Sequence, residues 1–212
     1  MWSQATDYLA NNTDSYISSI LEHIGISSIA LVIAILIGIP TGFFCVRFKR
    51  SQKFIVTLFQ ILRVIPSLAV LLLLIPIMGT GIRPALAALV LLAVPPILIN
   101  TVTGLHEVPD FMLETAAGCG MTDRQTWQRV RFPLAMPMIL TGIKTAVIEI
   151  IASATLASKI GGGGLGDIIF TGLGLSRFDL LLIGGVTVAI LSVSSGLLFE
   201  FIDRFALRHK HI

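Results

Sequence analysis

Apolar residues fall in five long runs separated by polar or glycine-rich stretches. A helix crossing the hydrocarbon core of a bilayer needs roughly 20 mostly apolar residues. The runs Ile24–Val46, Phe54–Met78, Pro84–Leu105, Pro133–Ser158 and Leu180–Ile202 all reach that length. The first and third carry no charge, the second holds Arg63, the fourth Lys144 and Glu149, and the fifth Glu200 near its end. The pattern predicts an all-α integral membrane chain of about five transmembrane helices. Ahead of them, Ile17, Ile20, Leu21 and Ile24 recur at helical spacing and predict an amphipathic lead-in helix.

Composition agrees: 55% of the 212 residues are hydrophobic and 13% charged, against about 25% charged in a soluble domain. The opening residues are polar and lack a basic segment before a short apolar core, so no cleavable signal is predicted. Placement of charge matters more than the net +3. Arg47, Lys49, Arg50 and Lys53 follow the first run, Arg124, Arg129 and Arg131 the third, and Arg204, Arg208 and Lys210 the fifth. The opposite segments hold only Arg83, Lys159 and Arg177. Cytoplasmic loops carry the excess of Lys and Arg, which predicts an external N-terminus and a cytoplasmic C-terminus. The chain then reads as a single membrane domain over residues 1–212, with an external lead-in (1–23), a cytoplasmic loop (106–132) and an external glycine-rich loop (159–179).

Pro40, Pro66, Pro95, Pro96 and Pro137 lie within the runs. Each removes a backbone donor and bends or breaks its helix. Gly38 with Gly42, and Ser192 with Gly196, are small-xxx-small pairs suited to close packing within the chain. Five helices with this many breaks close poorly on themselves, which predicts oligomerisation. Cys45 and Cys119, and the scattered His23, His106, His209 and His211, have neither metal nor disulfide spacing.

The cytoplasmic loop reads as two short helices. Pro109-Asp110 starts the first, with the aspartate as cap, and Gly118 and Gly120 end it. Thr122 and Gln125 form a capping box for a second, Asp123–Phe132, and Pro133 opens the next span. Met112, Leu113, Met121, Trp127 and Val130 need cover. Two readings satisfy them: a helix lying on lipid headgroups, or a knob seated in the groove of a soluble partner.

The residues of this loop resemble a motif of the membrane subunits of ATP-binding-cassette importers: E-A-A, three residues, G, nine residues, I-x-L-P. Here Glu114-Thr115-Ala116 is followed by Ala117-Gly118-Cys119, then Gly120, and after nine more residues by Val130-Arg131-Phe132-Pro133. Thr115, Val130 and Phe132 replace alanine, isoleucine and leucine of the motif. The resemblance implies a coupling helix docked on an ATPase subunit, with Glu114, Ala116, Gly120, Val130, Phe132 and Pro133 as the coupling set. It extends over residues 24–205. "GCGMTDRQTWQRVRFPLAMPMILTGIKTA" and "ATLASKIGGGGLGDIIFTGL" are similar to permeases that import glycine betaine, carnitine or choline. The five-span plan is shared with methionine-uptake permeases, which stand as the alternative, and a membrane-embedded enzyme or structural subunit is the alternative of another class. The resemblance implies an inner-membrane transport subunit of a prokaryote. Its partners are ATPase subunits that hold ATP and magnesium, a second permease subunit (identical or paralogous), an extracytoplasmic binding protein and lipid. No nucleic acid is among them. The chain lacks a Walker-type Gly-Lys-Ser/Thr sequence, so it is read as a transport subunit and not an enzyme, with no cofactor of its own.

"GGGGLG", Gly161 to Gly166, contains a formal G-x-G-x-x-G but lacks the βαβ setting of a dinucleotide site. It reads as an outer turn passing close to neighbouring helices. The apolar stretch after it is too short to span and predicts a surface helix, either packing or lining the path. Lys144 and Glu149 are candidate pathway residues, because charges within spans face a bundle interior or water. Five residues apart, they lie on different sides of a helix and are not expected to pair. Lys144 is read as snorkelling toward the cytoplasm. Glu149 has two readings, a pathway anion for quaternary ammonium groups or a carboxyl satisfied inside the bundle. The tryptophans and tyrosines (Trp2, Tyr8, Tyr16, Trp127) lie outside the spans. An aromatic cage for such groups is therefore expected on the binding protein.

Overall fold

The computed structural model describes residues 2–207, and Arg208, His209, Lys210 and His211 lie outside the described residues. The side chains of residues 2–5, 49, 51 and 205–207 are likewise not described. Among the described residues the chain is helical throughout: α1 Trp2–Asn11, α2 Thr13–Arg47, α3 Lys49–Val64, α4 Ser67–Met78, α5 Ile82–His106, α6 Asp110–Gly118, α7 Asp123–Thr126, α8 Phe132–Ala157, α9 Leu165–Gly174 and α10 Phe178–Leu207. A π turn, Trp127–Arg131, joins α7 to α8 without a break.

Four of these helices are long and apolar enough to cross a membrane. The expected second span is not one straight helix: Gln52–Val64 and Ser67–Met78 meet at 99°. The break has a local cause. Pro66 has no N–H to continue the ladder, and it drives the residue before it away from helical geometry; Ile65 sits at φ −71°, ψ 125°.

Contacts between helices show that the bent pair still crosses. Gly38 and Gly42 of α2 face Ile97 and Thr101 of α5, so these two helices run parallel. The chain must therefore return between them. The α3–α4 pair leaves from Phe48, at the end where Gln52 meets His106. It finishes beside Gly81, whose N–H donates to Ile160 O at the other end. Helix α8 is antiparallel to α5, with Gly104 near Met138 and Gly142 near Asn100. Helix α10 is antiparallel to α8, with Lys144 near Glu200 and Ile148 near Gly196. The described chain thus begins at one end of the bundle and finishes at the other.

The core is centred on α5, whose apolar window is 67% buried against 22% for α10. Between apolar helices in lipid there is little hydrophobic drive, and packing depends on close backbone approach. Glycine provides it. A Cβ on Gly38 or Gly42 would lie 2.9 Å or 2.7 Å from the side chains of Ile97 or Thr101. On the adjacent side of α5, a Cβ on Gly104 would lie 2.7 Å from Met138 Cβ, and one on Gly142 would lie 2.9 Å from Pro96 O. The first pair was expected from its spacing; Gly104 and Gly142 share a contact only in space. Gly196 differs, because its nearest neighbour, Ile148 Cδ1, is 3.6 Å away.

The predicted lead-in helix is not separate. Ile17, Ile20, Leu21 and Ile24 belong to α2, which starts at Thr13. Their spacing is helical, and no residue between Thr13 and Ile24 breaks the ladder. At the same end, the glycine-rich turn passes against α2 as expected. Gly164 N–H donates to Glu22 Oε2 (3.2 Å), and a Cβ on Gly164, at φ +81°, would lie 3.1 Å from His23 Cβ. Helix α9 packs Leu165 and Ile168 against Leu180 of α10. Burial and the nearby Glu22 push the Asp167 carboxyl above its ordinary pKa, against a hydrogen bond with Ser158.

Overpacking a tight contact costs typically 1–3 kcal/mol. Gly142→Val is expected to destabilise the detergent-solubilised protein by about 2 kcal/mol. Gly196→Ala should stay within about 0.5 kcal/mol of wild type. Thermal unfolding followed by size-exclusion chromatography checks both, and equal melting temperatures for the two variants would contradict the assigned contacts.

Candidate functional site

The loop between α5 and α8 closes the bundle end that holds Phe48, His106 and Arg131. Helix α6 begins at Asp110 with Pro109 as its N-cap residue, and no side chain caps it. The aspartate was expected to be the cap. It lies instead inside the first turn, where its charge opposes the positive end of the helix dipole.

The turn after α6 is a Schellman motif. Met121 N–H donates to Ala116 O (3.1 Å) and Gly120 N–H to Ala117 O (2.9 Å), which satisfies carbonyls the helix end leaves open. The motif puts its left-handed residue at Gly120, φ +77°. Gly118 has no positive φ, and a Cβ added to it would meet nothing within 4 Å. Of the two glycines, only Gly120 is conformationally required. The predicted capping box then opens α7. Gln125 N–H donates to Thr122 Oγ1 (3.4 Å), and Thr122 N–H donates to Gln125 Oε1 (2.9 Å).

The second loop helix was expected to stop at the span. It continues through the π turn, closed by Phe132 N–H donating to Trp127 O, directly into α8. The loop and the span are therefore one rod with a local change of pitch. Pro133, half-buried, directly follows the π turn, the place in the rod where the hydrogen-bond ladder changes register and a missing N–H is accommodated.

One face of the loop is anchored. The Trp127 ring meets Phe43 edge-on at 5.7 Å between centroids, and Phe132 lies 5.8 Å from the Phe43 ring. The Arg131 guanidinium stands 5.4 Å over Trp127, and its Nε donates to Leu105 O (3.3 Å). Ala116 is buried, and Leu113, Met121 and Val130 are half-buried. Trp127, Leu113 and Val130 thus find cover within the chain. Phe43 could not be identified as their anchor from the sequence, because it stands among other apolar residues of the first run.

The opposite face is bare. Phe111 is 62% exposed, and Met112, Glu114, Thr115 and Ala117 are exposed beside it. The predicted coupling residues therefore divide by role. Glu114 faces outward, Ala116 faces inward, Gly120 shapes the turn, and Val130, Phe132 and Pro133 join the loop to α8.

The two charges of α8 lie apart, as their spacing predicted. Lys144 Nζ is 3.6 Å from Glu200 Oε2, and Arg204 Nη2 is 2.8 Å from Glu200 Oε1. Lys144 thus has a partner on α10. Glu149 is half-buried on another face of α8, and Arg63 of α3 is the cation within its electrostatic reach.

The chain is similar over most of its length to two transport proteins of Bacillus subtilis (strain 168). It is 42% identical over 186 residues to the choline transport system permease protein OpuBB, covering 88% of this chain and 86% of that protein. It is 41% identical over 191 residues to the glycine betaine/carnitine/choline transport system permease protein OpuCB, covering 90% and 88%. Its fold matches a chain from the inward-facing conformations of the MetNI methionine ABC transporter with a TM-score of 0.75 and 22% identity, over 90% of this chain and 95% of that one. At that identity the likeness concerns the fold alone. Residues 19–208 match the family described as binding-protein-dependent transport system inner membrane component, and with a loop anchored on one face and bare on the other, this multi-pass chain belongs to that family of inner-membrane permeases.

Proposed function

We propose that the chain is the membrane subunit of an ATP-driven importer of small quaternary-ammonium osmoprotectants, such as choline, glycine betaine or carnitine. The names of these two Bacillus subtilis relatives support the substrate class. The observation that carries the mechanism is the two-faced loop. Its inner face is fixed to α2 and α5 through Trp127, Arg131 and Phe43, and its outer face offers Phe111, Met112 and Glu114. An apolar helix face held rigidly at a bundle end suits a groove on a soluble partner. That partner is an ATPase subunit, which holds the ATP and magnesium. The Lys and Arg bias supports a cytoplasmic position for this end.

Force applied to α6 reaches the spans by two routes. One is continuous helix, from α7 through the π turn into α8. The other is the aromatic contact from Trp127 to Phe43 on α2. A movement of the ATPases would tilt α8 and α2 together against α5, exposing a path formed with a second permease subunit first to one side and then to the other. Selection of the substrate falls to an extracytoplasmic binding protein. Glu149 remains a pathway residue in this reading. Lys144, tied to Glu200 on a different face, does not.

Copurification from the native membrane tests the docking. Wild type and Gly118→Ala are expected to retain the ATPase subunit. Gly120→Val should lose it at least about tenfold while remaining inserted, because a β-branched residue at φ +77° forces the turn open. Equal retention by Gly120→Val would remove the coupling role.

The thiols test which end is cytoplasmic. Cys119 is exposed in the loop and Cys45 is buried. A membrane-impermeant maleimide should label Cys119 in inverted vesicles and leave it unlabelled in intact cells. The opposite result would reverse the topology.

A further inference from the structure

The fold leaves polar positions on two helices where lipid would penalise them. On α3, Thr57, Gln60 and Arg63 are all exposed. On α8, Thr141 is exposed and Thr145 and Glu149 are half-buried, at spacings of four that align them on one side. Neither row belongs to the coupling loop.

Helix register sets the depth of the two charges. Counting along α3 from the Gln52–His106 hydrogen bond (2.6 Å) in the antiparallel sense brings Arg63 level with about Pro95. Counting along α8 from Gly142, which meets Asn100, brings Glu149 level with about Ala93. Both positions fall at the middle of α5, Ile82–His106. A cation and an anion therefore stand at mid-depth, where a charge costs about 2.5–3.5 kcal/mol on insertion scales and is kept only if it faces protein, water or a ligand.

They flank a shared face of α5. Gln52 of α3 meets His106, and Gly142 of α8 meets Asn100 and Pro96. These contacts put α3 and α8 on different sides of α5, with the half-buried Ile99 and Thr103 between them. Arg63 lies within electrostatic reach of Glu149, and no ion pair within 4 Å joins them among the described residues. Arg63 also sits two residues before the 99° break. Discontinuous helices near the bilayer midplane are where transporters commonly place substrate sites.

Resting on the osmoprotectant reading above, we infer that Arg63 and Glu149 form a low-affinity site at mid-path for a small zwitterion, with Arg63 holding the substrate carboxylate and Glu149 its quaternary ammonium. The unlike charges match the two ends of such a molecule, and no ion pair between them occupies either one. Guanidinium pairs with a carboxylate through two parallel hydrogen bonds, whereas lysine offers a point charge. Arg63 thereby discriminates carboxylate-bearing substrates from choline, which has a hydroxyl in that place.

Uptake of labelled glycine betaine, choline and carnitine by cells expressing the complete importer, and no other osmoprotectant transporter, tests the site. Each variant is compared at equal amounts of inserted chain and bound ATPase. Arg63→Gln is expected to lower the glycine betaine to choline uptake ratio about tenfold, with Arg63→Lys recovering part of it. Glu149→Gln is expected to lower uptake of both. If the wild type carries glycine betaine alone, the readout becomes loss in Arg63→Gln and recovery in Arg63→Lys. An unchanged ratio in Arg63→Gln, no recovery in Arg63→Lys, or a wild type that carries choline and no carboxylate-bearing substrate overturns the zwitterion site and leaves the osmoprotectant reading standing. A wild type that carries none of glycine betaine, choline and carnitine overturns that reading itself.

A second measurement does not depend on the charge variants. In a chain with Cys45 and Cys119 replaced by alanine, a water-soluble maleimide should label Gln60→Cys but not Leu58→Cys, which lies on the opposite side of α3. Glycine betaine should slow the labelling at position 60. Failure to label position 60 would show that the polar row is not water-lined and would overturn the site.

Discussion

The structure depends on how closely α5 can be approached from two sides. Gly38 and Gly42 let α2 lie against Ile97 and Thr101, and Gly104 and Gly142 let α5 and α8 meet at Met138, Asn100 and Pro96. In an apolar solvent these contacts gain what water exclusion would supply elsewhere, through dispersion at short range. They also fix register. Once α2 and α5 are parallel and α8 antiparallel, the α3–α4 pair has to cross between them despite its bend. The positions of Arg63, Glu149 and the loop between α5 and α8 follow from that arrangement.

The loop works because its two termini are chemically specified and its middle is not. The Schellman turn at Gly120 and the capping box at Thr122–Gln125 fix the angle between α6 and α7 with local hydrogen bonds. The ring contacts of Trp127, Phe43 and Phe132 fix the pair to the bundle. The outward residues of α6 are left free of internal duties, so they can match a partner without altering the fold. Continuity through the π turn ties the loop rigidly to α8.

Charge is distributed with the same economy. Lys144, Glu200 and Arg204 satisfy one another between α8 and α10. Arg63 and Glu149 are left opposed at mid-depth without contact. The first group joins two helices; the second forms no ion pair among the described residues. A single span carries both because five residues turn a helix by roughly 140°.

The sequence by itself determined whatever depends on local spacing. The apolar runs specify the spans, the Lys and Arg bias predicts an orientation, and Thr122 with Gln125 specifies a helix start within four residues. The separation of Lys144 from Glu149 is likewise a matter of helical period, and the loop motif needed only its own short stretch of chain. Tertiary structure decided the rest. Pro66 announces a break but not an angle of 99°, which depends on what α4 packs against. Gly104 and Gly142 are far apart along the chain and acquire meaning only when α5 and α8 meet. Trp127 looked available for docking until Phe43, from a different span, covered it. Arg63 and Glu149 are neighbours solely through the register of three helices. Such pairings are set by packing across the bundle, and no periodicity along one chain segment encodes them.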